Sequence, residues 1–467
     1  MSRVQPLRRQ HRSAAKISSA AKASATAKAN VSTKANVSTK ANVSTKAIVS
    51  TKASAAVKVA KPTARGAAAP PVIANGQVAE PNRRAALDLA LELMAIPGES
   101  GDEGQIVATI IEKLKAAGAP ASAISTDDAH RRTIIKGQVG NLVLKLPGTL
   151  RGPRRMLLAH VDTVPLCVGS KPSVRGGWVE SSNKNTGLGA DNRAGAAVVL
   201  NTALEILRGN LAHPPLTFFW PVQEEVGLQG VQHARLAPLG KPKLAFNWDG
   251  GPAEKLTIGA TGAYRLSIDI TGLASHAGGA PEQGISAIAI AGLAIADLVR
   301  AGWHGDIHRD GHRGTSNFGT VTGGRANNVV ADRCEVRAEA RSHDPAFRRE
   351  IVAAIEQAFK NAARQVTNVA GDCGQVEISQ RLDYESFVLP SDEPCVEAAA
   401  AAIAAIGQTP VKAISNGGLD ANWLTARGIP TVTLGCGQKH AHTVAERLDV
   451  AAFHSACRVA LRLATGC

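Results

Sequence analysis

The sequence predicts an α/β protein with a three-layer, mostly parallel sheet and an inserted ferredoxin-like α+β unit. From residue 81 onward, short apolar runs alternate with stretches of helical periodicity, as in a sheet covered by helices. Near residue 260 the order becomes strand-helix-strand-strand-helix-strand, the split unit of ferredoxin-like folds. The chain has 467 residues, 44 % of them hydrophobic, enough for more than one core. The predicted segments are a tail (1–80), the α/β body (81–259 and 384–467) and the inserted unit (260–383).

The tail carries most of the chain's net charge of +15. Residues 1–79 hold fourteen Lys and Arg and no acid, and residues 29–52 repeat a hexapeptide of the type Ala-Asn-Val-Ser-Thr-Lys. Such a composition cannot bury enough apolar surface to offset its ordering entropy, so we predict disorder. Three interpretations are open: a contact with an anionic partner such as nucleic acid, an organelle transit peptide, or a solvated extension. The rest of the chain is nearly neutral, with 39 basic and 38 acidic residues.

The cysteines and the hydropathy pattern predict a cytoplasmic protein with no membrane contact. Seven scattered cysteines without a CxxC pair are typical of reduced thiols rather than of a disulfide framework. The first twenty residues lack the continuous apolar core of a secretory signal.

The helices and strands of the α/β body follow from apolar spacing. Helical spacing predicts helices over Ala85–Met94, Gln105–Ala117, Asn192–Leu207, Asp392–Ile406 and Val450–Leu463. Apolar runs predict buried strands at Gly140–Leu146, Arg155–His160, Leu216–Val222 and Ile429–Leu434.

The inserted unit is predicted from alternating strands and two longer helical patterns. Its strands are expected at Ala263–Thr271, 315–322, 332–342 and Gln375–Gln380, and its helices at Glu282–Arg300 and Pro345–Val366.

Polar residues follow the predicted strands of the body, where open α/β sheets bind ligands. His160-Val-Asp162 comes after one strand, and a carboxylate there can fix the tautomer of a metal-bound imidazole. A satisfied buried His–Asp pair is the alternative. Asp191 lies in a glycine-rich turn that opens a helix, where it can cap the helix or bridge two cations.

Further candidates lie at the ends of three more strands. Glu224 and Glu225 follow the apolar run 216–222, a costly position for two acids unless a cation neutralises them. A surface acid pair is the alternative. Asp249 follows another apolar run, and His440 and His442 follow the last strand. Two imidazoles and three carboxylates are a ligand set that suits two zinc ions with a bridging carboxylate.

The order of these motifs, from about residue 82 onward, resembles a zinc exopeptidase and amidohydrolase superfamily. Its members include peptidase T, glutamate carboxypeptidase, aminoacylase and succinyl-diaminopimelate desuccinylase, and the peptidase T-like ones are most similar. The resemblance implies two Zn²⁺ ions, which Co²⁺ or Mn²⁺ could replace. It implies that Asp162 orients a ligand and that Glu224 is the general base. The implied ligands are His160, Asp191 as the bridge, Glu225, Asp249 and His442, which is preferred to His440 because it directly precedes Thr443.

The inserted unit resembles the lid and dimerisation domain of that superfamily. By resemblance, His276 reaches the substrate and helps to hold the oxyanion, while Asn328 and Arg341 bind the substrate. A surface salt bridge is the alternative for Arg341. Gly418, in a loop of the body, is expected to line the pocket. Many relatives carry Asp where Asn192 stands.

The implied function is hydrolysis of an amide bond in a short peptide, as in an exopeptidase. An N-acyl amino acid is the alternative substrate. The resemblance also implies a homodimer formed through the inserted unit, in which His276 serves the neighbouring subunit's site. A non-catalytic binding protein that acts through its basic tail is the alternative of another class.

Overall fold

The fold is that of a computed structural model, which describes residues 80–466. Apart from Glu80, the predicted tail lies outside the described residues. The helices are α1 (Arg83–Ala95), α2 (Gly104–Ala116), α3 (Ala190–Gly209), α4 (Gln229–Gln232), α5 (Ala287–Arg300), α6 (Pro345–Gln365), α7 (Pro394–Ala404), α8 (Asp420–Ala426) and α9 (Val450–Thr465). The strands are β1 (Ile124–Thr126), β2 (Leu142–Leu146), β3 (Arg155–Leu158), β4 (Pro172–Arg175), β5 (Trp178–Ser181), β6 (Leu216–Trp220), β7 (Leu244–Trp248), β8 (Lys255–Ala260), β9 (Gly262–Thr271), β10 (Gly305–Arg309), β11 (His312–Gly323), β12 (Arg333–Ser342), β13 (Gln375–Tyr384), β14 (Phe387–Val388), β15 (Val411–Ser415), β16 (Thr431–Leu434), β17 (Gln438–Lys439) and β18 (Arg447–Asp449).

The α/β body is built on a sheet in the order β1-β2-β6-β3-β7-β16-β8-β14, with β15 also paired to β8. Its four central strands, β6, β3, β7 and β16, are parallel. Antiparallel strands flank them on both sides. The predicted α/β fold class is therefore confirmed, with the parallel strands at the centre of the sheet.

Helices cover both faces of this sheet because its central strands are apolar on both sides. In β3, Leu157 packs into a core with α1, α2, α3, α7 and α9. Met156 and Leu158 point the other way, into a core that holds residues of α4 and α8. Since successive strand side chains face opposite sides, this alternation produces the three layers.

The inserted unit is an antiparallel sheet in the order β10-β11-β12-β9-β13. Helices α5 and α6 pack on one face of it and form a separate core around Ile268, Ile290 and Phe359. Without β10, the strand order is that of the predicted ferredoxin-like unit. Strand β10 adds a hairpin to β11 that the sequence analysis did not predict.

Several local features differ from the sequence-based expectations. Helix α5 begins at Ala287, where Ser286 caps it, rather than at Glu282. The expectations also omit a sheet in the order β17-β18-β5-β4, whose strands are only two to four residues long. Among the described residues the six cysteines are free, as predicted, and no helix is long and apolar enough to cross a membrane.

Candidate metal centre

The topology brings the predicted site residues to one edge of the sheet. The parallel strands β3, β6 and β7 all end at this edge, so the residues that follow them meet there. His160 lies two residues beyond β3, Glu224 four beyond β6, and Asp249 directly after β7. The backbone N–H of Asp249 also bonds to the carbonyl of Leu434 at the end of β16 (3.0 Å).

Asp191 and His442 reach the same edge from other elements. Asp191 is the second residue of α3 and has non-helical backbone angles, and its peptide bond to Asn192 is cis. The Asn192 side chain donates to the carbonyl of Trp248 (2.7 Å), a contact that an ionised Asp could not make. His442 lies in the loop between β17 and β18. The short sheet that the sequence analysis missed therefore positions the last predicted ligand.

The side chains of the five predicted ligands converge. His160 Nε2 lies 3.5 Å from Asp191 Oδ1, and His442 Nε2 lies 3.3 Å from Asp191 Oδ2. His442 Nε2 is also 3.0 Å from the Glu225 carboxylate. Asp191 thus faces one imidazole with each of its two oxygens, the arrangement expected of a bridging carboxylate.

These residues form overlapping groups that could hold metal ions. In each group the potential ligand atoms lie within 4.8 Å of one another. Asp191 belongs to two groups, one with His160 and Asp249 and the other with Glu225 and His442. A third group joins His160, Glu224 and Glu225. Imidazole nitrogens and carboxylate oxygens in this proportion fit a borderline divalent cation such as zinc.

The pKa values show how strongly the charges in this cluster interact. Burial opposes the charged imidazole of His160, but Glu224, Asp162 and Asp191 together raise its pKa well above the ordinary value. Hydrogen bonds to Asp191 and Glu225 raise the pKa of His442 to about 10. When no cation is bound, the raised pKa values favour the protonated imidazoles of His160 and His442, whose positive charge offsets the negative charge of the surrounding acids.

The acids show the complementary effect. Burial raises the pKa of Glu224 well above its ordinary value, and burial together with the charge of Asp191 raises that of Asp249 to about 7. Burial opposes ionisation of Asp191, but its hydrogen bonds to His160 and His442 lower its pKa. A buried group of like charges is costly unless a cation neutralises it, which supports the metal-site interpretation.

Asp162, the acid of the HxD motif, is fully buried next to His160. One of its oxygens lies 3.3 Å from His160 Nδ1. It also accepts the backbone N–H groups of Glu224 (3.0 Å) and Glu225 (3.1 Å) and the hydroxyl of Ser100 (2.7 Å). Asp162 therefore connects the imidazole to the turn that carries both glutamates, a link that residue spacing alone did not predict.

Several other polar residues at the site were missed or given no role by the sequence analysis. Glu446 accepts the backbone N–H groups of Gly189 (2.7 Å) and Asp191 (2.8 Å), and Gln438 donates to Asp191 Oδ1 (3.1 Å). Asp420 is 1 % exposed, and neither of its carboxylate oxygens has a hydrogen-bond partner. The sequence analysis gave neither Glu446 nor Asp420 a role, and only the fold shows that both lie beside the predicted ligands.

The residues predicted on the inserted unit do not join the cluster. His276 is exposed, and its Nδ1 accepts the N–H groups of Gly278 and Gly279. Asn328 is also exposed, and its backbone carbonyl accepts the N–H of Ala277. Their predicted roles toward a substrate stay predictions.

Arg341 and Gly418 lie near the junction of the inserted unit and the body. Arg341 forms a two-pronged salt bridge with Glu339 (3.0 and 2.9 Å), which agrees with the salt-bridge alternative. Gly418 packs on Tyr384, where an added Cβ would lie 2.4 Å from the ring. Any larger residue at Gly418 would therefore displace this aromatic ring.

The fold and the site together define a class: an α/β enzyme with an inserted α+β unit and a cluster of His and carboxylate side chains that could hold metal ions. Residues 156–466 match Peptidase family M20/M25/M40, and the chain belongs to this family. The Bacillus subtilis protein YqjE is 31 % identical over 370 residues, which cover 79 % of this chain and 94 % of YqjE.

Two solved structures support the same conclusion. A tripeptidase from Staphylococcus aureus is 30 % identical with a TM-score of 0.74, covering 83 % of this chain and 98 % of the tripeptidase. The aminopeptidase PepT from Bacillus cereus is 30 % identical with a TM-score of 0.70, covering 82 % and 98 %. The predicted superfamily is thus confirmed, and the chain is a hydrolase.

Proposed function

We propose that this protein is a dinuclear zinc exopeptidase that hydrolyses an amide bond of a short peptide. The observation that carries the proposal is the overlap of two potential ligand groups on Asp191, one with His160 and Asp249 and one with Glu225 and His442. The names of two structural relatives, a tripeptidase and an aminopeptidase, favour short peptides over other amides.

His160, Asp191, Glu225, Asp249 and His442 would hold the two ions. When bound, the ions supply Lewis-acid chemistry, which activates water and polarises the scissile carbonyl. Asp162 orients His160 through its Nδ1, a partner that metal-binding histidines commonly require.

Glu224 is the proposed general base. The residue is 9 % exposed and is adjacent in sequence to the proposed ligand Glu225, at the edge of the sheet where the ligands converge. A carboxylate whose pKa is raised by burial is suited to accept a proton and return it near neutral pH. Glu224 would take the proton of the attacking water and deliver it to the departing amine nitrogen.

We further propose that two copies pair through the inserted unit. Helix α5 exposes Ile288 (45 %), Leu293 (38 %) and Val299 (53 %) on its outer side. Beyond Ser316, strand β11 pairs only with β12 among the described strands, so its other edge is free to meet a second chain. The exposed His276 would then serve the partner's site.

A cytoplasmic location completes the proposal, because all described cysteines are free.

The test is an assay of the zinc-loaded full chain on dipeptides, tripeptides and N-acetyl amino acids, with Glu224→Gln as the control for contaminating peptidases. We expect turnover of di- or tripeptides that the control lacks. Turnover of N-acetyl amino acids alone would shift the function to the alternative deacylase. Turnover of neither class, in protein that holds its metal, would refute the proposal.

A further inference from the structure

The turn that carries both glutamates is held at three successive backbone N–H groups by two buried carboxylates. The Gln223 N–H donates to Glu103 Oε1 (3.0 Å), while the next two N–H groups donate to Asp162. Gln223 has φ of +54°, in the left-handed region that a residue with a side chain adopts only at a cost. This turn therefore keeps its shape because other groups hold it.

Glu103 lies outside residues 156–466, the part of the chain that matches the family. Its position suggests that it caps a helix. It stands at the N-cap of α2, yet its side chain makes no capping hydrogen bond to that helix. Its Oε1 instead accepts the N–H groups of Gly101 (2.9 Å) and Gln223. The residue is 0 % exposed, and its Oε2 has no hydrogen-bond partner. The cost of burying this carboxylate is thus not offset by capping.

A buried arginine connects the surroundings of Glu103 with those of the site. Arg193, two residues after Asp191, is fully buried and donates to the carbonyls of Leu93 (3.4 Å) and Gly98 (3.1 Å). Its guanidinium interacts electrostatically with Asp162 and Glu103. Its positive charge partly balances the two acids that hold the glutamate turn.

We propose that Glu103 is a positioning residue that aims Glu224 by fixing the backbone of Gln223. The inference rests on the proposed function, in which Glu224 is the general base. Asp162 fixes the N–H groups of both glutamates, and Glu103 is the carboxylate that holds the N–H of Gln223, the residue at which the chain turns. A misplacement of about 1 Å at a catalytic group can cost on the order of 100-fold in rate.

Two variants separate positioning from charge. Glu103→Gln keeps an oxygen at the position of Oε1 and removes the charge, whereas Glu103→Asp keeps the charge but withdraws the oxygen by one methylene. Positioning predicts that Glu103→Gln stays within about 3-fold of the wild-type kcat. It predicts that Glu103→Asp loses about 10- to 100-fold in kcat, with KM within about 3-fold and the metal content unchanged.

The matched control is Asp344→Ala, in the inserted unit. Asp344 Oδ1 accepts the N–H groups of Ala346 (2.7 Å) and Phe347 (3.4 Å) at the start of α6, so its loss also removes two bonds from backbone N–H groups to a carboxylate. We expect it to lower Tm without changing kcat. If Asp344→Ala lowered kcat as much as Glu103→Asp does, the loss of any backbone bond to a carboxylate would have the same effect. That result would overturn the proposal.

A second readout does not depend on activity. Amide hydrogen exchange across residues 222–228 should be faster in Glu103→Asp than in wild type and unchanged in Glu103→Gln. If the wild type hydrolyses no peptide, the proposed function fails while this exchange pattern still decides the role of Glu103. The proposal is overturned if Glu103→Asp matches or exceeds Glu103→Gln in kcat, if neither variant differs from wild type, or if folded Glu103→Gln loses 10-fold or more.

Discussion

Glu224→Gln is the substitution that separates the chemistry of the site from its assembly. The amide has nearly the size of the carboxylate, so the backbone bond from residue 224 to Asp162 (3.0 Å) should remain. The substitution removes only the group that accepts a proton. The ligand groups that meet at Asp191 do not include Glu224, so the metal content should stay at the wild-type level.

The expected loss follows from the role of the group. General acid–base catalysis contributes about 10²- to 10⁴-fold, or ~2.7–5.4 kcal/mol at 1.36 kcal/mol per tenfold. We expect kcat to fall by about 10³-fold with little change in KM, since the proton transfer occurs only in the transition state. Burial raises the pKa of Glu224, which means that its charge is unfavourable in the folded protein. The metal-free variant should therefore be as stable as the wild type or more stable at neutral pH.

The assay combines three measurements on the same preparations: initial rates on a tripeptide, metal content by mass spectrometry, and Tm with and without a chelator. Glu224→Asp is a useful companion, because it keeps an acid but shortens it. A Glu224→Gln variant with wild-type kcat would remove Glu224 from the base role. A variant that loses its metal would show that Glu224 is a ligand rather than a base.

Three further predictions address the metal ligands, the proton balance and the junction with the inserted unit. His442→Ala should lose bound metal while His440→Ala keeps it; equal loss in both would refute the ligand choice. The raised pKa values of His442 (about 10) and Asp249 (about 7) mean that, in the metal-free protein near neutral pH, His442 holds a proton and Asp249 is partly protonated. Metal binding must then release protons and tighten as pH rises, which calorimetry in buffers of different ionisation enthalpy can measure; affinity independent of pH from 6 to 8 would contradict this. Gly418→Val should lower Tm by several degrees through its clash with Tyr384, whereas an unchanged Tm would show that the ring moves without cost.

Much of the site could be predicted because its residues follow strands in a recognisable order. His160 and Glu224 follow strands that are visible as apolar runs, and parallel strands end at the same edge. The ligand choice between His440 and His442 came from resemblance rather than from physics. In the structure, the His442 side chain contacts Asp191 and Glu225, which agrees with that choice.

The residues that sequence reasoning missed act through the backbone. Glu103 and Glu446 accept backbone N–H groups of segments that are distant in sequence, and no residue pattern encodes such contacts. The short strands β17 and β18 were missed because two or three residues give no usable periodicity. Helix α5 also begins later in the sequence than predicted. The backbone of Gly284 is extended, and the residue that caps the helix, Ser286, comes after it.

The central claim is that two cations share Asp191, and the most direct test is to locate them. Anomalous X-ray diffraction at the zinc edge, on crystals of the metal-loaded chain, measures both their number and their ligands. We expect two ions per chain, one near His160 and Asp249 and one near Glu225 and His442, with Asp191 contacting both. A single ion, or two ions that do not share Asp191, would contradict the account.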